Sequence, residues 1–278
     1  MPFFDPSADP GPDFAALAKL TGLVPVAPST PVDDRLPITH ATTVVAIRYA
    51  DGVVMAGDRR ATSGNIISHR AIEKVFPADR HSGVAIAGAA GPAMEMVKLF
   101  QLQLEHYEKV EGSQLSLEGK ANQLGQMVRG NLPAAMQGLA VVPIFAGYDT
   151  RREAGRLFQY DITGGRYEES NYATSGSGGS LAGSVIKMRF REDLSRDEVV
   201  DLAITSLFEA ADEDSATGGP DMVRGIYPVI ATITAGGFQR VEEPEIAERF
   251  VSLLETLAAR DGGGRLPETS TETAGGPR

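Results

Sequence analysis

The chain has 278 residues, enough for one large domain or two modest ones. Its 42% hydrophobic and 23% charged residues allow a sizeable core and argue against global disorder. The net charge of −11 argues against nucleic acid as a partner, because phosphate binding needs clustered Lys and Arg. The absence of cysteine excludes disulfides, thiolate metal sites and cysteine catalysis.

The first segment, residues 1–41, differs in composition from the rest of the chain. It holds 8 of the 17 prolines and five acidic against two basic side chains. Only residues 13–20 could form a short helix there, and the prolines keep the segment out of a sheet interior. We interpret it as removable. Its acidic start lacks the basic region of a secretory signal, so we expect a cytoplasmic protein.

The hydrophobic pattern then predicts groups of strands alternating with groups of helices. The predicted strands are 44–49, 53–58, 74–76, 82–87, 141–148, 156–161, 167–173, 227–235 and 238–241. The predicted helices are 92–109, 117–136, 180–190, 197–211 and 244–259. Ser116 and the capping box formed by Ser195 and Glu198 mark two helix starts.

This order suits antiparallel sheets with helices on their outer faces. We therefore predict an α+β fold, a four-layer αββα sandwich of two antiparallel sheets flanked by helix pairs, in one domain over residues 42–260. Residues 261–278 are rich in Gly, Thr and Glu and are predicted to be a disordered tail. No apolar run approaches the roughly 18 residues of a membrane helix, so we expect no membrane contact.

Thr42 stands at the start of the first predicted strand and is a candidate nucleophile. A cut between Ala41 and Thr42 would leave a hydroxyl and a free α-amine on one residue, the threonine and N-terminal amine arrangement of covalent catalysis. The alternative is that Thr42 and Thr43 are ordinary β-branched strand residues.

Three further residues could support such a nucleophile. Asp58 ends the strand predicted to pair with that of Thr42, and Lys74 opens an extended segment. A buried lysine near Asp58 would favour a deprotonated hydroxyl and an unprotonated α-amine. Gly88 lies between a strand and a helix, where backbone N–H groups can donate to an oxyanion. Each residue has an ordinary alternative: a turn residue, a solvated lysine and a plain turn.

Other motifs are incomplete. The segment 175–180 begins like a dinucleotide-binding loop, but Leu181 stands where the last Gly should be, and no P-loop is present. The segment 212–215 resembles the start of a calcium loop that Ala216 interrupts. The four histidines show no metal spacing. We predict neither a metal nor a cofactor.

Taken in order, the motifs are similar to the proteasome β-subunits of the N-terminal nucleophile hydrolases, most closely the actinobacterial 20S type. The matching positions are 42–45, 52–62, 74, 87–88, 104–109, 127–132, 176–178 and 211–221. The resemblance covers roughly residues 42–260, which would be a proteasome β-type catalytic domain behind a propeptide, residues 1–41.

The resemblance implies a threonine endopeptidase freed by autocleavage at Ala41–Thr42. Thr42 would be the nucleophile and its α-amine the base. The supporting roles would fall to Asp58 and Lys74 for activation, Gly88 for the oxyanion, Ser177, Asp212 and Ser215 around the new N-terminus and its water, and Thr62 against the substrate backbone. The first specificity pocket would be lined by Ala61, Ile72, Phe76, Ile86, Ala90 and Met94. All six are apolar, which predicts cleavage after large hydrophobic residues.

The resemblance also implies partners. These are proteasome α-subunits, other β-subunits in a seven-membered ring within a twenty-eight-subunit core of four stacked rings, a ring-shaped AAA ATPase, and protein substrates that carry a ubiquitin-like tag. One departure concerns Ala41, because the family usually has Gly before the nucleophile. Ala adopts fewer conformations than Gly, which predicts slower self-cleavage.

Three alternatives remain open. A simpler two-ring bacterial protease shares the Thr-Thr start, but its subunits are shorter than the 237 residues left after 41 of the 278 are removed. A non-catalytic structural β-subunit would keep the fold and the ring contacts. A nucleotide-binding protein would use the 175–180 loop, which lacks the strand context and the basic residues.

Overall fold

The computed structural model describes residues 42–260, which form twelve strands and six helices. The strands are β1 Thr43–Tyr49, β2 Gly52–Gly57, β3 Ala61–Ser63, β4 Ile66–His69, β5 Val75–Asp79, β6 Ser82–Gly88, β7 Val141–Asp149, β8 Ala154–Tyr160, β9 Arg166–Glu169, β10 Tyr172–Gly176, β11 Val229–Thr234 and β12 Gly237–Arg240. The helices are α1 Ala90–Glu111, α2 Leu117–Gly130, α3 Leu132–Ala135, α4 Gly179–Arg189, α5 Arg196–Glu213 and α6 Glu243–Arg260. The predictions for 1–41 and 261–278, including a helix at 13–20, lie outside the described residues.

The strands form two five-stranded antiparallel sheets and a separate hairpin. The first sheet has the order β10-β1-β2-β11-β12, the second β5-β6-β7-β8-β9, and β3 pairs with β4. The turn at 50–51 fixes the β1–β2 register, in which Val44 pairs with Gly57. The residue after β2, Asp58, is thereby placed beside the start of β1.

Three layers of buried side chains hold the sheets and helices together. Between the two sheets lies a cluster that includes Val44, Met55 and Ile144. A second cluster joins the first sheet to α4, α5 and α6, and a third joins the second sheet to α1 and α2. This arrangement confirms the predicted four-layer αββα sandwich.

Two predicted elements differ from the structure, and one element was not predicted. The predicted helix 117–136 ends at Gly130 and restarts at Leu132, because Pro133 has no N–H to donate to the carbonyl of Arg129, four residues earlier, and its ring would clash with that carbonyl. The strand 167–173 is two strands, β9 and β10, that belong to different sheets. The hairpin β3–β4 was not predicted. None of the helices between residues 42 and 260 is long and apolar enough to cross a membrane.

Candidate active site

The two adjacent threonines at the start of β1 face opposite sides of the first sheet, as successive strand residues must. Thr42, like Val44, faces the space between the sheets, where it lines a cavity of about 230 Å³. Thr43, like Val45, faces the helix layer, where its hydroxyl lies 2.6 Å from that of Thr217. The strand therefore presents only the Thr42 side chain to the cavity.

The carboxylate of Asp58 is completely buried and accepts four hydrogen bonds. Its Oδ1 accepts from the Thr43 N–H at 2.8 Å and from Lys74 Nζ at 2.6 Å. Its Oδ2 accepts from the N–H groups of Arg60 and Gly218, each at 2.9 Å. Four donors compensate the desolvation of the charge and fix Asp58 relative to Thr43, the residue directly after the candidate nucleophile.

Lys74 supplies a buried positive charge to the cavity wall. Only 4% of its side chain is exposed, and Nζ also donates to the Arg60 carbonyl at 2.6 Å. Burial lowers the pKa of the Lys74 ammonium, against the opposing charge and hydrogen bond of Asp58. Because Thr42 and Lys74 line the same cavity, this charge can act on the Thr42 hydroxyl.

A second carboxylate, Asp214, organises the other side of Thr42. Its Oδ2 accepts from Ser177 Oγ and from Thr217 Oγ1, each at 2.6 Å. Burial alone would raise the pKa of Asp214, but the hydrogen bonds from Ser177 and Thr217, together with the Lys74 charge, hold the pKa below its ordinary value of 3.8. Ser177 Oγ in turn lies 3.5 Å from the Thr42 nitrogen and 3.4 Å from the Thr42 carbonyl oxygen.

Glycines let the 176–178 segment approach the threonines closely. At Gly176, where φ is +99°, an added Cβ would collide with the Thr42 carbonyl oxygen. At Gly178 an added Cβ would collide with Thr43 Oγ1 and lie 2.7 Å from Thr217 Oγ1. The segment therefore requires glycine at both positions for steric reasons.

The assignment of Asp212 and Ser215 to this site is wrong. Both residues are exposed, and the residues that contact Ser177 and Thr43 are Asp214 and Thr217. Because α5 ends at Glu213, Asp212 remains on its solvent face, whereas Asp214, the C-cap residue, turns toward the site. The sequence signal that could have identified these two residues is the Asp-x-x-Thr spacing directly before Gly218. In the structure Thr217 is fully buried.

The cavity beside Thr42 is lined by most of the predicted substrate-binding residues. Those are Ala61, Thr62, Ile72, Ile86, Ala90 and Met94, together with Lys74 and Gly88. Sequence reasoning missed Ser68, His69, Glu73 and Ala93, which also line it. Phe76 is outside the lining, and its side chain packs against the cluster under α1 and α2.

Gly88 and Thr62 also line the cavity wall. Gly88 ends β6 with φ of +120°, where an added Cβ would collide with the Ala140 carbonyl oxygen. The buried Thr62 Oγ1 has no hydrogen-bond partner among the described residues. Over the same range, 42–260, no group of three or more His, Asp or Glu side chains could hold a metal ion. Ala41 lies outside the described residues.

The chain is similar to known proteins. The family model described as "Proteasome subunit" matches residues 38–224. The protein named "Proteasome subunit beta" of Acidimicrobium ferrooxidans is 56% identical over 265 residues, which cover 95% of this chain and 96% of that protein. The proteins of the same name are 55% identical over 235 residues in Streptomyces griseus, covering 84% of each chain, and 49% identical over 268 residues in Acidothermus cellulolyticus, covering 95% of this chain and 92% of that protein.

These matches confirm the resemblance that the sequence motifs predicted. The family is one of proteases, and its members assemble with other subunits into proteasome particles. The chain therefore belongs to the proteasome subunit family, as one of its beta-type members.

Proposed function

We propose that this chain is a catalytic β-subunit, a threonine endopeptidase whose nucleophile is the Thr42 hydroxyl. The observation that carries the proposal is the position of Thr42 on the wall of a cavity that it shares with the buried ammonium of Lys74. A structural subunit would need neither that buried charge nor a cavity open to a peptide.

The first reaction is removal of residues 1–41. Thr42 Oγ attacks the carbonyl carbon of Ala41, the C–N bond breaks, and the acyl group moves from nitrogen to oxygen as an ester. Water then hydrolyses the ester, which leaves a carboxylate on Ala41 and a free α-amine on Thr42. The subunit stays inactive before this step, because Thr42 has no basic amine while its nitrogen is part of a peptide bond.

Hydrolysis of a substrate takes the same course. The α-amine accepts the proton of Thr42 Oγ as the oxygen attacks the substrate carbonyl, and it returns the proton to the departing amine. The Lys74 charge favours both the deprotonated oxygen and the unprotonated amine, and the Gly88 N–H donates to the oxyanion. Water then cleaves the ester, and Asp58 holds Lys74 and the Thr43 amide in place throughout.

The cavity favours a large hydrophobic residue on the acyl side of the cleaved bond. The apolar part of its lining, which includes Ile72, Ile86 and Met94, supports this preference, and its carboxylate Glu73 is occupied by two hydrogen bonds from Arg240, at 2.8 and 2.7 Å. These bonds hold the pKa of Glu73 below its ordinary value, so Glu73 stays paired as an anion. Fluorogenic peptides ending in Tyr or Leu should be cleaved faster than those ending in Arg or Asp; faster cleavage after Arg or Asp would refute the preference.

The proposal extends to the particle. We propose that the chain forms seven-membered β rings stacked between rings of α-subunits, in the cytoplasm, and that a ring-shaped AAA ATPase feeds it substrates carrying a ubiquitin-like tag. Enclosure of Thr42 inside such a barrel would explain how a protease of broad specificity is tolerated in the cytoplasm. The mass of the native complex formed on co-expression with the α-subunit tests the stoichiometry.

The intact mass of the subunit, co-expressed with its α-subunit, tests the catalytic role. We expect the parent to lose the mass of residues 1–41 and a Thr42→Ala variant to keep it. An uncut parent in a fully assembled particle would instead support the structural β-subunit, and processing of the Thr42→Ala variant would show that another protease makes the cut.

A further inference from the structure

Thr43 has a fully buried hydroxyl that the proposed mechanism does not use. Its Oγ1 lies 2.6 Å from Thr217 Oγ1, a short hydrogen bond between two neutral hydroxyls. Strand propensity alone does not require this hydroxyl, because valine has the same shape and an equal preference for strands. The hydrogen bond therefore points to a role for the oxygen itself.

The direction of the hydrogen bonds can be worked out from the number of protons present. Asp214 is ionised and can only accept, so Thr217 gives its single hydroxyl proton to Asp214 Oδ2. Thr43 is then the donor to Thr217. Ser177 gives its own proton to the same Oδ2, since that contact is 2.6 Å and its contact with the Thr42 carbonyl is 3.4 Å.

Ser177 connects this chain of hydrogen bonds to the nucleophilic residue. With its proton held by Asp214, Ser177 Oγ presents only lone pairs to the Thr42 nitrogen, 3.5 Å away. After cleavage that nitrogen is the α-amine, and the negative charge of Asp214 stabilises its protonated form through Ser177. Each donor to Asp214 neutralises part of that charge and so makes the unprotonated amine more available.

We infer that Thr43 is a positioning residue of the active site, which acts through Thr217 and Asp214 to set how strongly the Thr42 α-amine holds its proton. The inference rests on the proposed function, because the α-amine exists only after cleavage. Gly178 supports it, since an added Cβ there would displace both hydroxyls of the Thr43–Thr217 pair. The titratable or charged groups around this network in the described residues include His69, Glu73 and Lys74, which line the cavity with Thr42, Asp58, which accepts from the Thr43 N–H, and Arg60, which donates to the carbonyl of Ser215.

The test is the pH dependence of kcat/KM for a fluorogenic peptide, measured on processed particles made from the full chain and its α-subunit. Parent, Thr43→Val and Thr43→Ser are compared. Valine removes the donor, so Thr217 neutralises less of the Asp214 charge and the pKa of the α-amine rises. Because neighbours in a hydrogen-bonded chain strengthen one another by about 10–30%, we expect the acidic limb to move to higher pH by a few tenths of a unit. Serine keeps the hydroxyl, so the acidic limb of Thr43→Ser should lie at the same pH as that of the parent.

Two results would overturn the inference. The first is an acidic limb of Thr43→Val at the same pH as that of the parent, whatever the rate. The second is an equal displacement of the acidic limb in Thr43→Ser, which would show that the methyl group of the side chain, and not the hydroxyl, causes the shift. If Thr43→Val is not recovered in processed form, Thr43→Ala makes the same comparison with a smaller side chain. A Thr42→Ala control separates the two proposals. The proposed function, and the inference with it, is refuted if this control still hydrolyses the peptide or if the processed parent does not. The inference alone is refuted if hydrolysis requires Thr42 but its pH dependence is unaffected by the Thr43 substitutions.

Discussion

Replacing either member of the buried Asp58–Lys74 pair should abolish hydrolysis, but the two changes should differ in their effect on stability. Asp58→Asn keeps the shape of the side chain and replaces one acceptor oxygen with an NH₂ group. Two of the four donors around Asp58 then lose their acceptor, at about 1–3 kcal/mol each, and Lys74 loses its counter-charge. Loss of one partner of a buried pair typically costs about 3–5 kcal/mol, which agrees with that sum.

Lys74→Met should cost less. The Asp58 carboxylate retains three backbone N–H donors, and the methionine fills most of the vacated volume. We expect a loss of about 3 kcal/mol for Lys74→Met, the lower end of that range, against about 4 kcal/mol for Asp58→Asn. At about 2–4 °C per kcal/mol for a domain of this size, Asp58→Asn should lower the Tm by about 10 °C.

Thermal and urea unfolding of the isolated full-length chain measures this difference. All variants should carry Thr42→Ala as a common background, so that none is processed and the chains have equal length. Equal losses in Asp58→Asn and Lys74→Met, or a larger loss in Lys74→Met, would refute the reasoning, because the three backbone donors would then not be what keeps the carboxylate stable.

Three further outcomes are expected. Ala41→Gly should speed the loss of residues 1–41 in a time course of intact mass, since glycine reaches the tight turn more easily; unchanged kinetics would contradict this. Gly178→Ala should lower stability by about 1–3 kcal/mol and reduce peptide hydrolysis by displacing the Thr43 hydroxyl, whereas Gly130→Ala, which meets nothing within 4 Å, should do neither. Because its pKa is lowered in the folded chain, Asp214 stabilises the fold at pH values above its ordinary pKa, and this stabilisation is lost as the pH falls. From about pH 5 to about pH 3, the free energy of unfolding should therefore decrease more for the parent than for Asp214→Asn. An equal decrease in both would show that Asp214 contributes nothing.

The sequence predicted best those parts of the site that strand pairing determines. The apolar runs on both sides of the turn at 50–51 identify a hairpin, and a hairpin of known turn position brings Asp58 to the start of β1 without further information. Lys74 and Gly88 are likewise strand-end positions. Their proximity to Thr42 required the packing of one sheet on the other, which the sequence pattern indicates only as a class of architecture.

Several of the predictions that were wrong depend on where a helix or a strand ends. Whether Asp212 or Asp214 enters the site is decided by the last turn of α5, and helix boundaries are uncertain by one or two residues in any reading of a sequence. The hairpin β3–β4 has only seven residues in its strands and few buried side chains, so its pattern is too weak to detect. Phe76 is apolar and near the cavity in sequence, but the pattern does not reveal which neighbouring cluster it joins.

If the chain is processed as proposed, the opposite orientation of Thr42 and Thr43 determines how accurately it must be trimmed. A chain cut one residue too late would still begin with a threonine that bears a free amine, so its terminal chemistry would look unchanged. Its hydroxyl, however, would face the helix layer and Thr217, with the sheet between it and Lys74. Thr43 could therefore not replace Thr42 as the nucleophile, and an error of a single residue in trimming would yield an intact, assembled and inactive subunit.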